Sequence, residues 1–127
     1  MAHLTDRRIV LGVSGSISAY KSAEVVRELL ATGADVRVIM TASAAEFIGP
    51  MTFSALTGNS VAMDQFSGYA GPGEAHIDLA MWAEVLAVVP ATANIIGKAA
   101  NGLADDMLST TLLACEAPRC FAPAMNF

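Results

Sequence analysis

The sequence predicts an α/β fold of one domain, in which helices cover both faces of a doubly wound, mostly parallel sheet. Three observations predict it. Short apolar runs of strand length alternate with stretches of helical spacing along the 127 residues. The first two apolar runs and the helical stretch between them form a β–α–β unit, which implies a parallel, right-handed crossover. Three of the apolar runs end in turns rich in hydroxyl and amide groups. The expected architecture is Rossmann-like (flavodoxin-like).

The elements can be assigned in order along the chain. After a first strand over residues 9–13, the spacing of apolar residues predicts a helix over residues 18–32, and Gly33 follows as a stop. Further strands are predicted over residues 36–40, 60–63, 85–89 and 119–122, and further helices over residues 41–47, 51–56, 76–82, 94–100 and 105–114. A glycine-rich loop is expected over residues 67–74. Because no repeat or linker divides the chain, we expect a single domain.

The composition limits the partners that this chain can have. Hydrophobic residues make up 54% of the sequence and charged residues 15%, an apolar excess that predicts cover by a bound ligand and by copies of the chain. The net charge of −5 and the lack of a Lys/Arg cluster argue against nucleic acid or an anionic membrane as partner. No run has the length of a membrane-spanning helix, and the polar start lacks a signal-peptide core. With Cys115 and Cys120 as its cysteines, the chain is expected to be cytoplasmic, with reduced thiols.

The three polar turns predict where the functional site lies. They comprise residues 12–18, 90–94 and 123–126, and each follows a predicted strand. Ligands of open α/β sheets bind beyond the carboxyl ends of the strands, so these turns are expected to meet in one crevice.

The first of these turns does not match the dinucleotide pattern. Gly12 and Gly15 are three residues apart, and no acidic residue follows the second strand to hold a ribose diol. Thr41 and Ser43 stand there instead, and their hydroxyl groups suit a phosphate. The N–H groups of residues 15–17, at a helix start, are a natural anion site, so a mononucleotide fits better than NAD or ATP. An ordinary turn with an N-cap serine is the alternative.

Taken together, several segments resemble the flavin-dependent cysteine decarboxylases (the HFCD family), over nearly the whole chain. The matching segments are residues 12–21 (GVSGSISAYK), 76–77 (HI), 90–94 (PATAN) with Lys98, 101–106 (NGLADD) and 123–126 (PAMN). Within that family, the chain is most similar to the 4′-phosphopantothenoylcysteine decarboxylases of coenzyme A synthesis. The resemblance implies FMN as the cofactor, bound between the subunits of a homotrimer or of a dodecamer of four trimers.

The resemblance also assigns roles to individual residues. Those implied for the FMN phosphate are Gly15, Ser16, Ile17, Thr41 and Ser43, and those implied for the flavin are Thr92, Ala93, Asn94 and the backbone of Ala124. His76 is implied as the catalytic base, and Asn126 as the ligand of the carboxylate of the substrate's cysteine. No metal is implied, because two cysteines and two histidines in these positions do not form a zinc pattern.

Each of these side chains also has an ordinary structural interpretation. An imidazole titrates near neutrality and so suits proton removal, but His76 is equally placed to bond to backbone at a helix start. Asn126 offers two N–H donors to a carboxylate, and asparagine is also a common turn former. Asn94 is suited to cap its helix. Residues interpreted without a catalytic role are Lys98, as a solvated helix charge, and Asp105 and Asp106, as acids at a helix start.

The implied reaction is the FMN-dependent decarboxylation of 4′-phosphopantothenoylcysteine to 4′-phosphopantetheine, which makes the chain a lyase. Flavin oxidises the cysteine side chain to a thioaldehyde, which accepts the electron pair when carbon dioxide leaves. The sequence ends at Phe127, before the family's clamp cysteine, so residues 1–127 are expected to be a flavoprotein domain that is incomplete at its C-terminus and stalls at the ene-thiol. The alternatives are a flavin prenyltransferase-like enzyme and a non-catalytic, FMN-binding regulatory subunit.

Overall fold

A computed structural model of the chain describes residues 3–63 and 75–124, except for the side chains at 75 and 76. The strands are β1 (Arg8–Val13), β2 (Asp35–Met40), β3 (Val85–Ala91) and β4 (Arg119–Pro123). The helices are α1 (Tyr20–Ala31), α2 (Pro50–Thr57), α3 (Ala75–Trp82), α4 (Ala93–Asn101) and α5 (Met107–Ala114). Short 3-10 turns occupy Ile17–Ala19 and Ala44–Glu46.

The described strands form one parallel sheet in the order β2-β1-β3-β4. The chain moves from β1 to β2 on one side and then returns to place β3 and β4 on the other, which confirms the doubly wound α/β prediction. The switch of direction lies between β1 and β3, where ligands bind in folds of this kind. Because the strands all run the same way, the turns that follow them leave the sheet at one edge.

Alternation of side chains along the strands divides the core into two clusters, one on each face of the sheet. Leu11 of β1 belongs to one cluster with Val26 of α1 and Phe53 of α2. The neighbouring Val10 belongs to the other cluster with Leu79 of α3 and Leu108 of α5. Successive side chains of a strand point to opposite faces of the sheet. A strand with helices on both faces therefore has apolar residues at every position, as the continuous apolar runs predict.

Gly12 allows α5 to approach the sheet closely. A Cβ at this position would lie 2.4 Å from Cδ1 of Leu108, which is fully buried. The first glycine of the first polar turn therefore serves packing, and the close contact fixes α5 over β1.

Two of the predicted elements differ in the structure. Residues 60–63 do not form a strand, because only Ala62 pairs, in an isolated parallel bridge with Ile39. Residues 41–47, predicted as the beginning of a helix, contain a single 3-10 turn. The helix does not continue because Gly49 has an extended backbone and Pro50 begins α2. The loop predicted over residues 67–74 lies outside the described residues.

The N-cap of α4 also differs from the prediction. Asn94 is the second residue of the helix, and Thr92 is the N-cap, with its hydroxyl accepting a hydrogen bond from the N–H of Ile95 at 3.4 Å. A threonine with extended backbone two residues earlier fulfils the capping requirement, so Asn94 is left available for other contacts.

The junction between α4 and α5 is held by charge, which corrects the interpretation of Lys98 as a solvated charge. Its side chain is 18% exposed, and its Nζ lies 2.9 Å from Oδ1 of Asp105 and 3.4 Å from Oδ2 of Asp106. Asp106 is the N-cap of α5, and its carboxylate accepts from the N–H of Ser109 at 2.7 Å in a capping box. One lysine thus joins the end of α4 to the start of α5.

Replacing Lys98 with methionine is expected to weaken the acid dependence of stability. The hydrogen bond from Lys98 lowers the pKa of Asp105 below its ordinary value of 3.8. A lowered folded-state pKa gives stability that is present above the ordinary value and is lost as the pH falls through the folded-state pKa. Urea unfolding between pH 5 and pH 2 should therefore show a shallower fall for Lys98→Met than for the wild type.

The matched control is Lys21→Met, which removes an exposed lysine whose described contact is the ring of Tyr20 at 6.0 Å. This variant should keep the pH profile of the wild type. Identical profiles for Lys98→Met and the wild type would show that the ion pairs do not stabilise the junction.

In the part of the chain that the structure describes, no helix is long and apolar enough to cross a membrane. Nor do three or more His, Cys, Asp or Glu residues gather there in a way that could hold a metal ion. Cys115 is buried and Cys120 is exposed, and both are free, as the sequence predicts.

Candidate functional site

Backbone hydrogen bonds join the polar turns at the carboxyl edge of the sheet. The N–H of Ser14 donates to the carbonyl of Pro90 at 3.4 Å, which links the turns after β1 and β3. The N–H of Ala124 donates to the carbonyl of Ala91 at 3.1 Å, which links the turns after β3 and β4. The described parts of the three turns therefore meet, as the sequence predicts.

A cavity of about 290 Å³ lies between these turns, at the switch point of the sheet. Its lining residues are Gly15, Ser16, Ile17, Phe47, Thr92, Ala93, Asn94 and Ala124. All but Phe47 are residues that the sequence predicts for the site. None of the lining residues carries a charge, so a bound anion would depend on N–H groups, hydroxyl groups and helix dipoles.

Phe47 is the lining residue that sequence reasoning misses. It follows the 3-10 turn after β2, and its side chain remains 49% exposed at the cavity. In the sequence it is one apolar residue of a predicted helix, and nothing there shows that it reaches the turn after β1. An exposed aromatic residue beside a polar cavity offers a flat apolar surface for a ring.

Gly15 brings the first turn against the turn that follows β2. A Cβ at Gly15 would lie 2.4 Å from Cβ of Ser43 and 2.9 Å from its carbonyl carbon. The contact with backbone cannot be relieved by a side-chain rotation, so only glycine fits at this position. The consequence is a cavity wall made of main chain.

Ser16 caps the helical segment that begins at Ile17, so the N-cap alternative holds for this residue. Its hydroxyl accepts from the N–H of Ser18 at 3.2 Å. Among the described residues, nothing accepts a hydrogen bond from the N–H groups of Gly15, Ser16 and Ile17. Because such N–H groups at a helix start lack partners within the helix, they are available to an anion in the cavity.

Thr41 and Ser43 lie beside the first turn and do not line the cavity. The N–H of Thr41 donates to the carbonyl of Val13 at 3.0 Å, and its Oγ1 accepts from the N–H of Ala44 at 3.1 Å. Ser43 packs against Gly15. Both residues shape the neighbouring turn, and their contact with a phosphate stays a prediction.

The start of α4 forms the opposite wall of the cavity. Thr92 caps the helix, and Ala93 and Asn94 are its first two residues. The positive end of the helix dipole and the first N–H groups of α4 therefore lie at the cavity. Two helix starts, one after β1 and one after β3, converge on the same space.

The two residues predicted to act on a substrate are only partly placed. His76 is the second residue of α3, so the predicted position at a helix start is confirmed, but its side chain lies outside the described part of the chain. Asn126 also lies outside the described residues, two positions after Ala124 of the cavity wall. Their catalytic roles stay predictions.

A larger cavity, of about 490 Å³, lies between α4, α5 and β4. Its lining is mostly apolar and includes Leu103, Leu112, Leu113 and Phe121. Lys98 also reaches it but is neutralised by Asp105 and Asp106. The candidate site is therefore the smaller of the two cavities, because the polar turns converge there and not at the larger one.

Fold and site together define the class: a doubly wound α/β protein with an uncharged, polar cavity at the switch point of its sheet. The chain belongs to the Flavoprotein family, whose model matches residues 1–127. This finding confirms the resemblance that the motifs indicate.

The chain is similar to curated bifunctional proteins of coenzyme A biosynthesis. The chain is 51% identical over 123 residues to the coenzyme A biosynthesis bifunctional protein CoaBC of Bacillus subtilis, covering 97% of this chain and 30% of the relative. It is 46% identical over 123 residues to the CoaBC protein of Escherichia coli K12, again with 97% and 30% coverage. The chain thus spans about 30% of the length of these bifunctional relatives.

Solved structures show the same fold. The FMN-dependent cysteine decarboxylase SpaF superposes with a TM-score of 0.90 at 43% identity, over 97% of this chain and 71% of that one. A mutant PPC decarboxylase complexed with pantothenoylaminoethenethiol superposes with a TM-score of 0.78 at 32% identity, over 95% of this chain and 68% of that one.

Proposed function

We propose that this chain binds FMN in the cavity at the switch point and carries out the decarboxylation of 4′-phosphopantothenoylcysteine in the cytoplasm, as part of coenzyme A biosynthesis. The observation that carries the proposal is the convergence of the turns after β1, β3 and β4 on one uncharged cavity. The relatives support the choice of reaction, because they include coenzyme A biosynthesis proteins and a PPC decarboxylase.

The residues of the cavity fit the chemistry of FMN. The N–H groups of Gly15, Ser16 and Ile17 are a donor set for the phosphate. No carboxylate among the lining residues would repel that phosphate. Phe47 and Ala93 provide apolar surface for a ring, as a flavin requires.

When bound, FMN supplies the redox chemistry that lets a saturated thiol substrate lose carbon dioxide. The protein supplies placement and proton transfer. His76 accepts a proton from the substrate, and Asn126 donates its amide N–H groups to the substrate carboxylate. The start of α4, with Thr92 and Asn94, would hold the flavin ring at this wall of the cavity.

The surface beside the cavity supports burial between subunits of a homotrimer, or of a dodecamer of trimers. Ile17, which belongs to the first turn, is 64% exposed, and Tyr20, which follows that turn, is 57% exposed. Ile17 and Phe47, which both line the cavity, form an apolar rim that a single subunit leaves in water. A second subunit that covers this rim would close the cavity over the cofactor.

Flavin binding is the decisive experiment for this function. The purified chain is expected to show the visible absorbance of a flavin, to release FMN on denaturation, and to sediment as a trimer or a multiple of one. Unliganded protein should bind added FMN and should bleach its absorbance anaerobically when 4′-phosphopantothenoylcysteine is supplied. A folded protein that takes up no FMN would refute the proposal. FMN binding with neither bleaching nor release of carbon dioxide from 4′-phosphopantothenoylcysteine would support the cofactor and refute the substrate.

A further inference from the structure

We propose that Ser14 is a positioning residue of the cofactor site, whose buried hydroxyl fixes the two turns that form the cavity at their working separation. This inference rests on the proposed function, since it takes FMN as the occupant of the cavity. Ser14 does not line the cavity, but it directly precedes Gly15, which does.

The hydroxyl of Ser14 makes two hydrogen bonds across the switch point. Ser14 is 2% exposed, its Oγ donates to the carbonyl of Pro90 at 2.5 Å, and the same Oγ accepts from the N–H of Thr92 at 3.1 Å. One atom on the turn after β1 thus holds both sides of the bend at which β3 becomes α4.

The sheet itself does not provide this link. The pairing of β1 with β3 ends at Gly12 and Val88, and the pairing of β3 with β4 shifts register between Val88 and Ala91. Beyond Val88, the carbonyls of β3 instead accept from the hydroxyls of Ser22 and Ser14 and, at 3.4 Å, from the backbone N–H of Ser14. The position of Thr92 relative to the first turn therefore depends on Ser14.

Thr92 connects the hydroxyl of Ser14 to the cavity wall. It lines the cavity and caps α4, and its N–H has Ser14 Oγ as acceptor. Without the hydroxyl, the N–H of Thr92 loses its acceptor, and the carbonyl of Pro90 keeps only the longer bond from the N–H of Ser14, at 3.4 Å. A buried polar group that loses its partner tends to turn toward water. The start of α4 would then shift relative to the N–H groups of Gly15 and Ser16, which are proposed to hold the phosphate.

Ser22 of α1 offers a matched control, because its hydroxyl bonds to the same stretch of β3. It is fully buried, and its Oγ donates to the carbonyl of Val89 at 2.5 Å. It resembles Ser14 in burial and in donating to β3, but it receives no N–H from a residue of the cavity. Comparing the two serine-to-alanine variants separates loss of a buried hydroxyl from loss of the link to Thr92.

The experiment is a titration of unliganded protein with FMN, followed by quenching of flavin fluorescence, alongside thermal unfolding without FMN. Ser14→Ala is expected to bind FMN about tenfold more weakly, and Ser22→Ala less than about threefold more weakly, at a similar loss of melting temperature. Ser14→Cys keeps one heavy atom beyond Cβ but provides a poor hydrogen-bonding group, so it should lose affinity in the same direction if Ser14→Ala fails to fold.

Equal affinities in the wild type and in a folded Ser14 variant would overturn the inference and leave the proposed function intact. Equal losses in the Ser14 and Ser22 variants would also overturn it, because they would assign Ser14 a purely structural role. Failure of the wild type itself to bind FMN would instead reject the proposed function.

Discussion

Replacing His76 with asparagine is expected to slow substrate-dependent bleaching of bound FMN by about 10²–10⁴-fold, while the affinity for FMN changes less than about twofold. Asparagine keeps a polar side chain of similar size at the second position of α3, but it cannot accept a proton near neutral pH. Stopped-flow absorbance under anaerobic conditions, at saturating 4′-phosphopantothenoylcysteine, measures the rate directly.

Asp78→Asn is the matched control, because it changes an exposed polar side chain in the same first turn of α3. It should bleach FMN at the wild-type rate. A His76→Asn variant with the wild-type rate would remove His76 from the reaction and restore its interpretation as a helix-start histidine.

Replacing Gly15 with alanine is expected to weaken FMN binding by about 100-fold. The new Cβ would meet Cβ of Ser43 at 2.4 Å and its carbonyl carbon at 2.9 Å, so one of the two turns must move. Such overpacking typically costs about 1–3 kcal/mol, and a 100-fold change in affinity corresponds to roughly 2.7 kcal/mol. Isothermal titration of unliganded protein with FMN gives the affinity.

Gly97→Ala provides the comparison for this variant. A Cβ at Gly97, within α4, would meet nothing within 4 Å, so alanine should preserve FMN affinity and raise stability by about 0.5–1 kcal/mol. If Gly15→Ala also bound FMN as the wild type does, the close approach of the first turn to Ser43 would have no part in the site.

Much of this fold could be predicted from local pattern. The apolar runs predict β1, β2, β3 and β4 to within two residues at either end, because buried parallel strands are continuous apolar segments bounded by turn residues. The prediction over residues 60–63 was wrong as a strand, since apolar character alone does not tell a strand from a single bridge at the sheet edge.

The candidate site could be predicted to a similar extent, for a related reason. Parallel strands carry their following turns to one edge, so Gly15, Thr92 and Ala124 could be expected together from sequence order alone. Two assignments needed the structure. Thr92, and not Asn94, caps α4, and Lys98 pairs with acids that follow it by seven and eight residues. Caps and ion pairs depend on backbone direction and side-chain reach, which spacing does not specify.

The sequence by itself determined the order of elements, the doubly wound class and the edge at which the polar turns gather, because these follow from apolar periodicity and chain connectivity. Only the tertiary structure decided which groups meet across that edge. It placed Phe47 at the cavity, pressed Gly15 against Ser43, and set the hydroxyl of Ser14 between Pro90 and Thr92. These contacts join residues far apart in the chain, and their distances depend on how closely the packed helices and strands approach one another.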